Sequence, residues 1–157
     1  MQRKVLVAGA QGVIGRAAAT RLAARPDTQV LGLSRRTEPS IPNVEAVSVD
    51  LLDPGQVRDR LGGIRDVTHI VFGAYIEKQT AAEKSTVNVA ILRNLLDVVE
   101  ETSPGLRHVT FYQGGKAYGA DLGPFKTPAR EDDPRLMPPN FYYDQEDLLR
   151  ERQKGKD

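Results

Sequence analysis

The segment Val7-Ala8-Gly9-Ala10-Gln11-Gly12-Val13-Ile14-Gly15 constrains this chain more than any other. Its glycines follow directly on the apolar run Lys4–Ala8 and open a stretch, Val13–Ala24, rich in Ala, Leu and Arg. The run predicts a buried strand and the stretch a helix. In a strand-turn-helix of this kind each glycine has a task. Gly9 permits the tight turn, Gly12 lets backbone approach a pyrophosphate, and Gly15 lets the helix pack closely on the strand. The helix N-terminus then offers free N–H groups and the positive end of its dipole to phosphate. The spacing is GxxGxxG rather than GxGxxG, so the context gives the motif its weight. Gln11, Val13 and Ile14 complete the expected phosphate loop. The alternative is a glycine turn with no ligand.

Further along, Gln29–Leu33, Glu45–Val49, Thr68–Phe72 and Arg107–Tyr112 read as strands. Asp53 and Pro54 supply an N-cap and first-turn proline for a short helix to about Leu61. Ala81–Glu101 reads as a long helix whose Val87, Ile91, Leu95 and Val98 recur at helical spacing. This alternation predicts an α/β fold: a Rossmann-type doubly wound parallel sheet with helices on both faces. After Tyr112 the pattern stops. Gln113 to Asn140 has many glycines and prolines and no periodicity, a length that in a compact domain is usually functional. A last helix is expected over 141–153, and with no strand after it the sheet is expected to be truncated on its C-terminal side.

Composition narrows the partners. The 157 residues carry 22 Lys+Arg against 21 Asp+Glu, which argues against a nucleic-acid or anionic-membrane surface. There are no cysteines, so disulfides and thiolate metal sites are excluded. His69 and His108 lack metal-ligand spacing and read as strand-end packing, so no metal is expected. Arg3-Lys4 before Val5–Ala8 imitates a signal peptide, but the apolar run is too short, and no stretch approaches a membrane-spanning length. A cytoplasmic protein acting on a small molecule is expected. An exposed sheet edge would let two copies pair as a homodimer.

The end of the second strand selects the cofactor. A carboxylate there would hydrogen-bond the adenosine ribose of NAD, but this chain has Ser34-Arg35-Arg36. Guanidinium groups form charge-assisted bonds to a 2′-phosphate, which points to NADP(H); a solvated basic turn is the alternative. Asp50-Leu51 follows the third strand, where an acid and a backbone amide can meet adenine, or where an aspartate can stabilise a turn. Gly73 and Ala74, after the fourth strand, are expected near the nicotinamide ribose. Asn88 reads as an exposed helix residue, with an internal polar bridge as the alternative.

Short-chain dehydrogenases use a tyrosine with a lysine four positions on, both on one helix face. Tyr112 and Lys116 have that spacing, but Gln113-Gly114-Gly115 between them is a poor helix. Tyr142 and Tyr143 are followed at that distance by Glu146 and Asp147. The ordinary motif is absent.

Taken in order, GAQGVIG, GLSRR, VDLLD, VTHIV, Lys116, Gly123-Pro124-Phe125, EDDPR at Glu131–Arg135 and NFYYDQEDLL at Asn140–Leu149 resemble the progesterone 5β-reductase / iridoid synthase-like (PRISE) family. That family is an atypical branch of the extended short-chain dehydrogenase/reductases, and the resemblance spans nearly the whole chain. It implies that the lysine and tyrosine stand apart, here as Lys116 and Tyr142. It also implies hydride transfer from NADPH to the β-carbon of an enone, with the tyrosine stabilising the enolate oxygen. On this reading 1–112 are the core βα units, 113–140 an active-site loop segment and 141–153 the helix carrying the catalytic tyrosine. Family members continue into a further strand and a substrate-binding region that this chain is expected to lack. Gln113 stands where a serine or threonine would assist the substrate carbonyl. The competing readings are an NAD-dependent sugar-nucleotide epimerase or dehydratase and a non-catalytic NADP(H)-binding or redox-sensing module.

Overall fold

The computed structural model describes residues 3–156. They form two compact units. One runs to Tyr75 and resumes over Ile91–Phe111; the other joins Ile76–Ala90 to the chain from Tyr112 onward.

The first unit holds five parallel strands, β1 (Arg3–Ala8), β2 (Thr28–Ser34), β3 (Val44–Ser48), β4 (His69–Phe72) and β5 (His108–Phe111). Their order is β3-β2-β1-β4-β5. The chain winds outward to β3 and then returns past β1 to β4, so the switch in direction falls between β1 and β4. Ala8 is level with Leu33 on one side and Phe72 on the other, which brings three strand ends to one height. Helices α1 (Val13–Ala23), α2 (Pro54–Leu61) and α3 (Ala81–Thr102) make the crossovers that parallel strands require. The alternation expected from the sequence is therefore present, as a Rossmann-type parallel sheet.

Period-two alternation divides the strand residues between two buried layers. Val5, Val7 and Val30 join Ala10, Ala19 and Ile41 in one cluster, against which Leu22 and Ala23 of α1 pack. Leu6 and Ala8 point the opposite way and are equally inaccessible. Val57 and Leu61 of α2 and Leu92, Leu95 and Leu96 of α3 are buried as well. Asp53 caps α2 as its sequence suggests, accepting from the Gln56 amide at 3.0 Å, with Pro54 in the first turn.

Strand boundaries differ from the sequence reading by a residue or so. β5 stops at Phe111, short of Tyr112, because it pairs on one side only and its partner β4 ends level with it at Phe72. His69 and His108 are the facing first residues of their strands, with ring centres 6.3 Å apart. Burial, then the charges of Arg3, His108 and Arg107, holds the His69 imidazole below its ordinary range.

The second unit contains the first part of α3, a 3-10 helix at Gly115–Tyr118 and α4 (Phe141–Gln153). Thr80 and Glu83 form a reciprocal cap at the start of α3. The Thr80 amide donates to Glu83 at 3.2 Å and the Glu83 amide donates to the Thr80 hydroxyl at 3.2 Å. The Thr80 hydroxyl also donates to Glu83 Oε2 at 2.8 Å, and this bond, then the one from the Thr80 amide, holds the Glu83 carboxyl below its usual range. Asn140 caps α4, accepting from the Tyr142 amide at 3.1 Å. The 113–140 stretch has the short 3-10 helix and otherwise turns and bends. Arg135 fastens it to α4, reaching Asp147 at 2.8 Å and Glu146 at 3.2 Å, with its guanidinium 4.9 Å from the Tyr143 ring centre.

Asn88 corrects the sequence reading. It is fully buried rather than exposed. Its Oδ1 accepts from the Ile76 amide at 2.9 Å, and its Nδ2 donates to the carbonyls of Ile76 and Lys84, each at 2.8 Å. Its own carbonyl accepts from Gln145 of α4 at 2.8 Å. The amide thus matches both polar groups of a non-helical residue, which explains its tolerance inside a helix.

Among the described residues no helix is long and apolar enough to cross a membrane. The packing around α3 generates a stability prediction. Leu95→Ala should cost about 2–5 kcal/mol in denaturant unfolding, whereas Met137→Ala, at a side chain 79% exposed, should stay within about 0.5 kcal/mol.

Candidate functional site

The glycine loop of the first unit is built by close approach. Gly9 has φ +77°, a region that disfavours L side chains, and a Cβ there would sit 2.8 Å from the Ala74 amide nitrogen and the Gly73 carbonyl oxygen. The turn leaving β1 therefore lies directly against the chain leaving β4, at the switch point. A Cβ on Gly15 would run into the Gly9 carbonyl oxygen, so α1 begins hard against the same turn. Gly12 is the N-cap residue of α1 and supplies no side-chain cap, and no acidic residue stands in the first turn. The positive end of an 11-residue helix is left for a ligand anion. Val13 and Ile14 stand exposed beside it. These features fit the pyrophosphate of a dinucleotide.

Ser34 ends β2, and its hydroxyl donates to the Arg36 carbonyl. The Ser48 hydroxyl donates to the Arg35 carbonyl at 3.3 Å. Both guanidinium groups are exposed, and among the described residues neither enters an ion pair. Gln11 does more than line the loop. Its Nε2 donates to the Thr37 and Pro39 carbonyls at 3.2 and 3.0 Å. Arg16 was not singled out by the sequence, yet it bonds Gln11 Oε1 at 2.9 Å, the Pro39 carbonyl at 3.1 Å and the Ser40 carbonyl at 3.2 Å. Together they tie the segment after Arg36 to the start of α1.

Asp50 Oδ1 accepts from the Leu52 amide at 3.0 Å, so it stabilises its own turn whatever else it meets. Leu51 is buried, and its carbonyl accepts from Asn94 of α3 at 2.9 Å. Asn94 is a second positioning residue that sequence reasoning missed. Its only signal is an amide beside the apolar positions of a long helix.

In the second unit, Lys116 lies in the 3-10 helix and Tyr142 is the second residue of α4. Tyr112 precedes the 3-10 helix, so Tyr112 and Lys116 do not share a helix face. The Tyr142 hydroxyl reaches Gly114, where an added Cβ would be 3.3 Å away; Lys116 is two residues further along. α4 grips this turn through backbone. Asn140 Nδ2 donates to the Lys116 carbonyl at 2.9 Å, and the Tyr143 hydroxyl donates to the Ala117 carbonyl. Gln113 Nε2 contacts the Tyr142 carbonyl and Glu146, both at 3.4 Å. The Lys116 ammonium meets Glu77 Oε2 at 3.2 Å, and the other Glu77 oxygen is 2.7 Å from Lys84 Nζ. A phenol, an ammonium and a carboxylate on separate elements can hold and move a proton at a carbonyl oxygen.

Residues 6–157 match the PRISE-like Rossmann-fold domain. An (S)-8-oxocitronellyl enol synthase of Nepeta racemosa is 34% identical over 97% of this chain and 42% of its own length. A 3-oxo-Δ(4,5)-steroid 5β-reductase of Arabidopsis thaliana is 33% identical over 95% of this chain and, again, 42% of its own. The chain thus spans well under half the length of these relatives. Among solved structures, a short-chain dehydrogenase/reductase superfamily protein from Agrobacterium tumefaciens with bound NAD superposes with a TM-score of 0.74. It is 26% identical, over 98% of this chain and 46% of that one.

The loop geometry yields a direct test. Gly9→Ala should destabilise the protein by about 1–3 kcal/mol in denaturant unfolding. Gly63→Ala, where an added Cβ meets nothing within 4 Å, should change stability by less than about 0.5 kcal/mol.

Proposed function

The chain belongs to the PRISE-like Rossmann-fold family, and we propose that it is the cofactor-binding part of an NADPH-dependent reductase of small enones or carbonyl compounds. The observation that carries this reading is the meeting of the Tyr142 hydroxyl with the turn that bears Lys116, assembled from a 3-10 helix and α4 rather than from one helix. A sugar-nucleotide epimerase or dehydratase would need the two side chains on a single helix.

NADPH, when bound, supplies the hydride. The first unit supplies binding: the α1 N-terminus and the Gly9–Gly15 turn hold the pyrophosphate, with Gln11, Val13 and Ile14 beside it. Arg35 and Arg36, carried on a backbone held by Ser34 and Ser48, take the 2′-phosphate by charge-assisted bonds. Asp50 and Leu51 bound the adenine, and Gly73 and Ala74 the nicotinamide ribose. The loop segment 113–140 and the helix after it supply chemistry. The Tyr142 hydroxyl donates to the substrate oxygen as negative charge develops there, and stabilises the enolate in a 1,4-reduction. The Lys116 ammonium favours the ionised phenol and binds ribose hydroxyls.

NADPH should bind more tightly than NADH in a calorimetric titration. Arg35→Asp combined with Arg36→Ala should cost NADPH about 10–100-fold in affinity and abolish the preference; equal affinities in the unaltered chain would overturn the cofactor assignment. In steady-state NADPH oxidation with small enones, Tyr142→Phe should lower kcat about 100-fold or more with NADPH affinity unchanged. A fully active variant would count against the assignment of Tyr142.

A further inference from the structure

The structure joins Glu77 and Lys84 to Lys116, and the proposed function assigns no role to either. Glu77 places one carboxylate oxygen 2.7 Å from Lys84 Nζ and the other 3.2 Å from Lys116 Nζ. The Lys84 side chain is only 14% exposed, so one end of this chain of charges is held in the protein while the Glu77 carboxylate is 59% exposed. The backbone beneath is fixed too. Asn88 holds both polar groups of Ile76, the residue before Glu77, and also the carbonyl of Lys84. Asn140 holds the carbonyl of Lys116. Three flexible side chains therefore converge from anchored backbone, which lowers the entropy cost that makes most exposed ion pairs weak.

We propose that Glu77 is a positioning residue for Lys116: the carboxylate, shared with Lys84, tethers the Lys116 ammonium and keeps it protonated. This rests on the reading of Lys116 as the partner of Tyr142. The neighbouring acids on α3 and α4 are committed to other groups. Glu83 bonds Thr80, Asp144 meets the Ser85 hydroxyl, and Glu146 pairs with Arg135 and Arg150. Lys78, whose amide lies 3.3 Å from Glu77 Oε1, adds positive charge to the same neighbourhood, and the Tyr142 and Tyr143 phenols also lie against the turn.

Electrostatics gives the two substitutions opposite signs. Glu77→Gln leaves the Lys84 and Lys116 ammonium groups facing each other without the anion between them, which disfavours protonated Lys116. Lys84→Met removes a repelling cation and frees the carboxylate for Lys116, which favours it. The experiment is a pH titration, without nucleotide, of the chain labelled with 13Cε-lysine, in which the Lys116 resonance is identified by its loss in Lys116→Arg. The Lys116 midpoint should fall by roughly 0.5 pH unit in Glu77→Gln and rise in Lys84→Met. Raised salt should shrink both shifts. A midpoint that is unmoved in both variants, or moved in the same direction by both, would overturn the proposal. Failure of the unaltered chain to bind NADPH would count against the function proposed above and leave this result untouched.

Discussion

A turn that can carry no side chain stands against a strand end that leaves no room for one. At Gly9 the backbone adopts φ +77° and an added Cβ would press on the Gly73–Ala74 peptide. This contact sits where the sheet reverses its order of strands, and it sets both the start of α1 and the height at which the loops leave β1 and β4. The uncapped N-terminus of α1 follows from it. A bulkier turn would push the helix off the strand, and the first-turn amides would lose the common direction that lets them meet one anion.

The second unit depends on a different device. Asn88 is a polar residue with no access to solvent, and every polar atom of its side chain is engaged. A buried amide that found no partner would cost about 1–3 kcal/mol. Here it does for Ile76 what a neighbouring strand would do, in a place where no strand runs. α4 extends the same logic: Gln145, Asn140 and Tyr143 each spend a side chain on a backbone carbonyl. Irregular chain between elements is held by side chains acting as backbone partners.

Much of this was legible in the amino-acid sequence, and the divide has a physical cause. The glycine turn, the Asp53-Pro54 helix start and α4 over Phe141–Gln153 are written in neighbouring residues, through φ preference, capping and local periodicity. Arg16, Asn94, Glu77 and Lys84 were silent because their partners lie 5 to 43 residues away or, for Glu77, in an unpatterned loop. Asn88 was misread for the same reason: a lone amide among helix formers looks solvated until Ile76 is known to lie beside it. Lys116 and Tyr142 were named through family resemblance, since no periodicity connects a residue in a glycine-rich turn with one on a helix 26 positions later.

The backbone that presents Arg35 and Arg36 is secured entirely by other residues. Serine hydroxyls hold the two arginine carbonyls, while Gln11 and Arg16 hold the carbonyls of Thr37, Pro39 and Ser40 that follow. The guanidinium groups themselves contribute nothing to that framework. The position therefore behaves as a socket: charge at its tip can be exchanged over evolutionary time with little penalty in folding. On the proposed reading of Arg35 and Arg36, ligand preference and structural integrity are uncoupled at this turn, so a population of variants could drift from one anion to another without passing through an unstable intermediate.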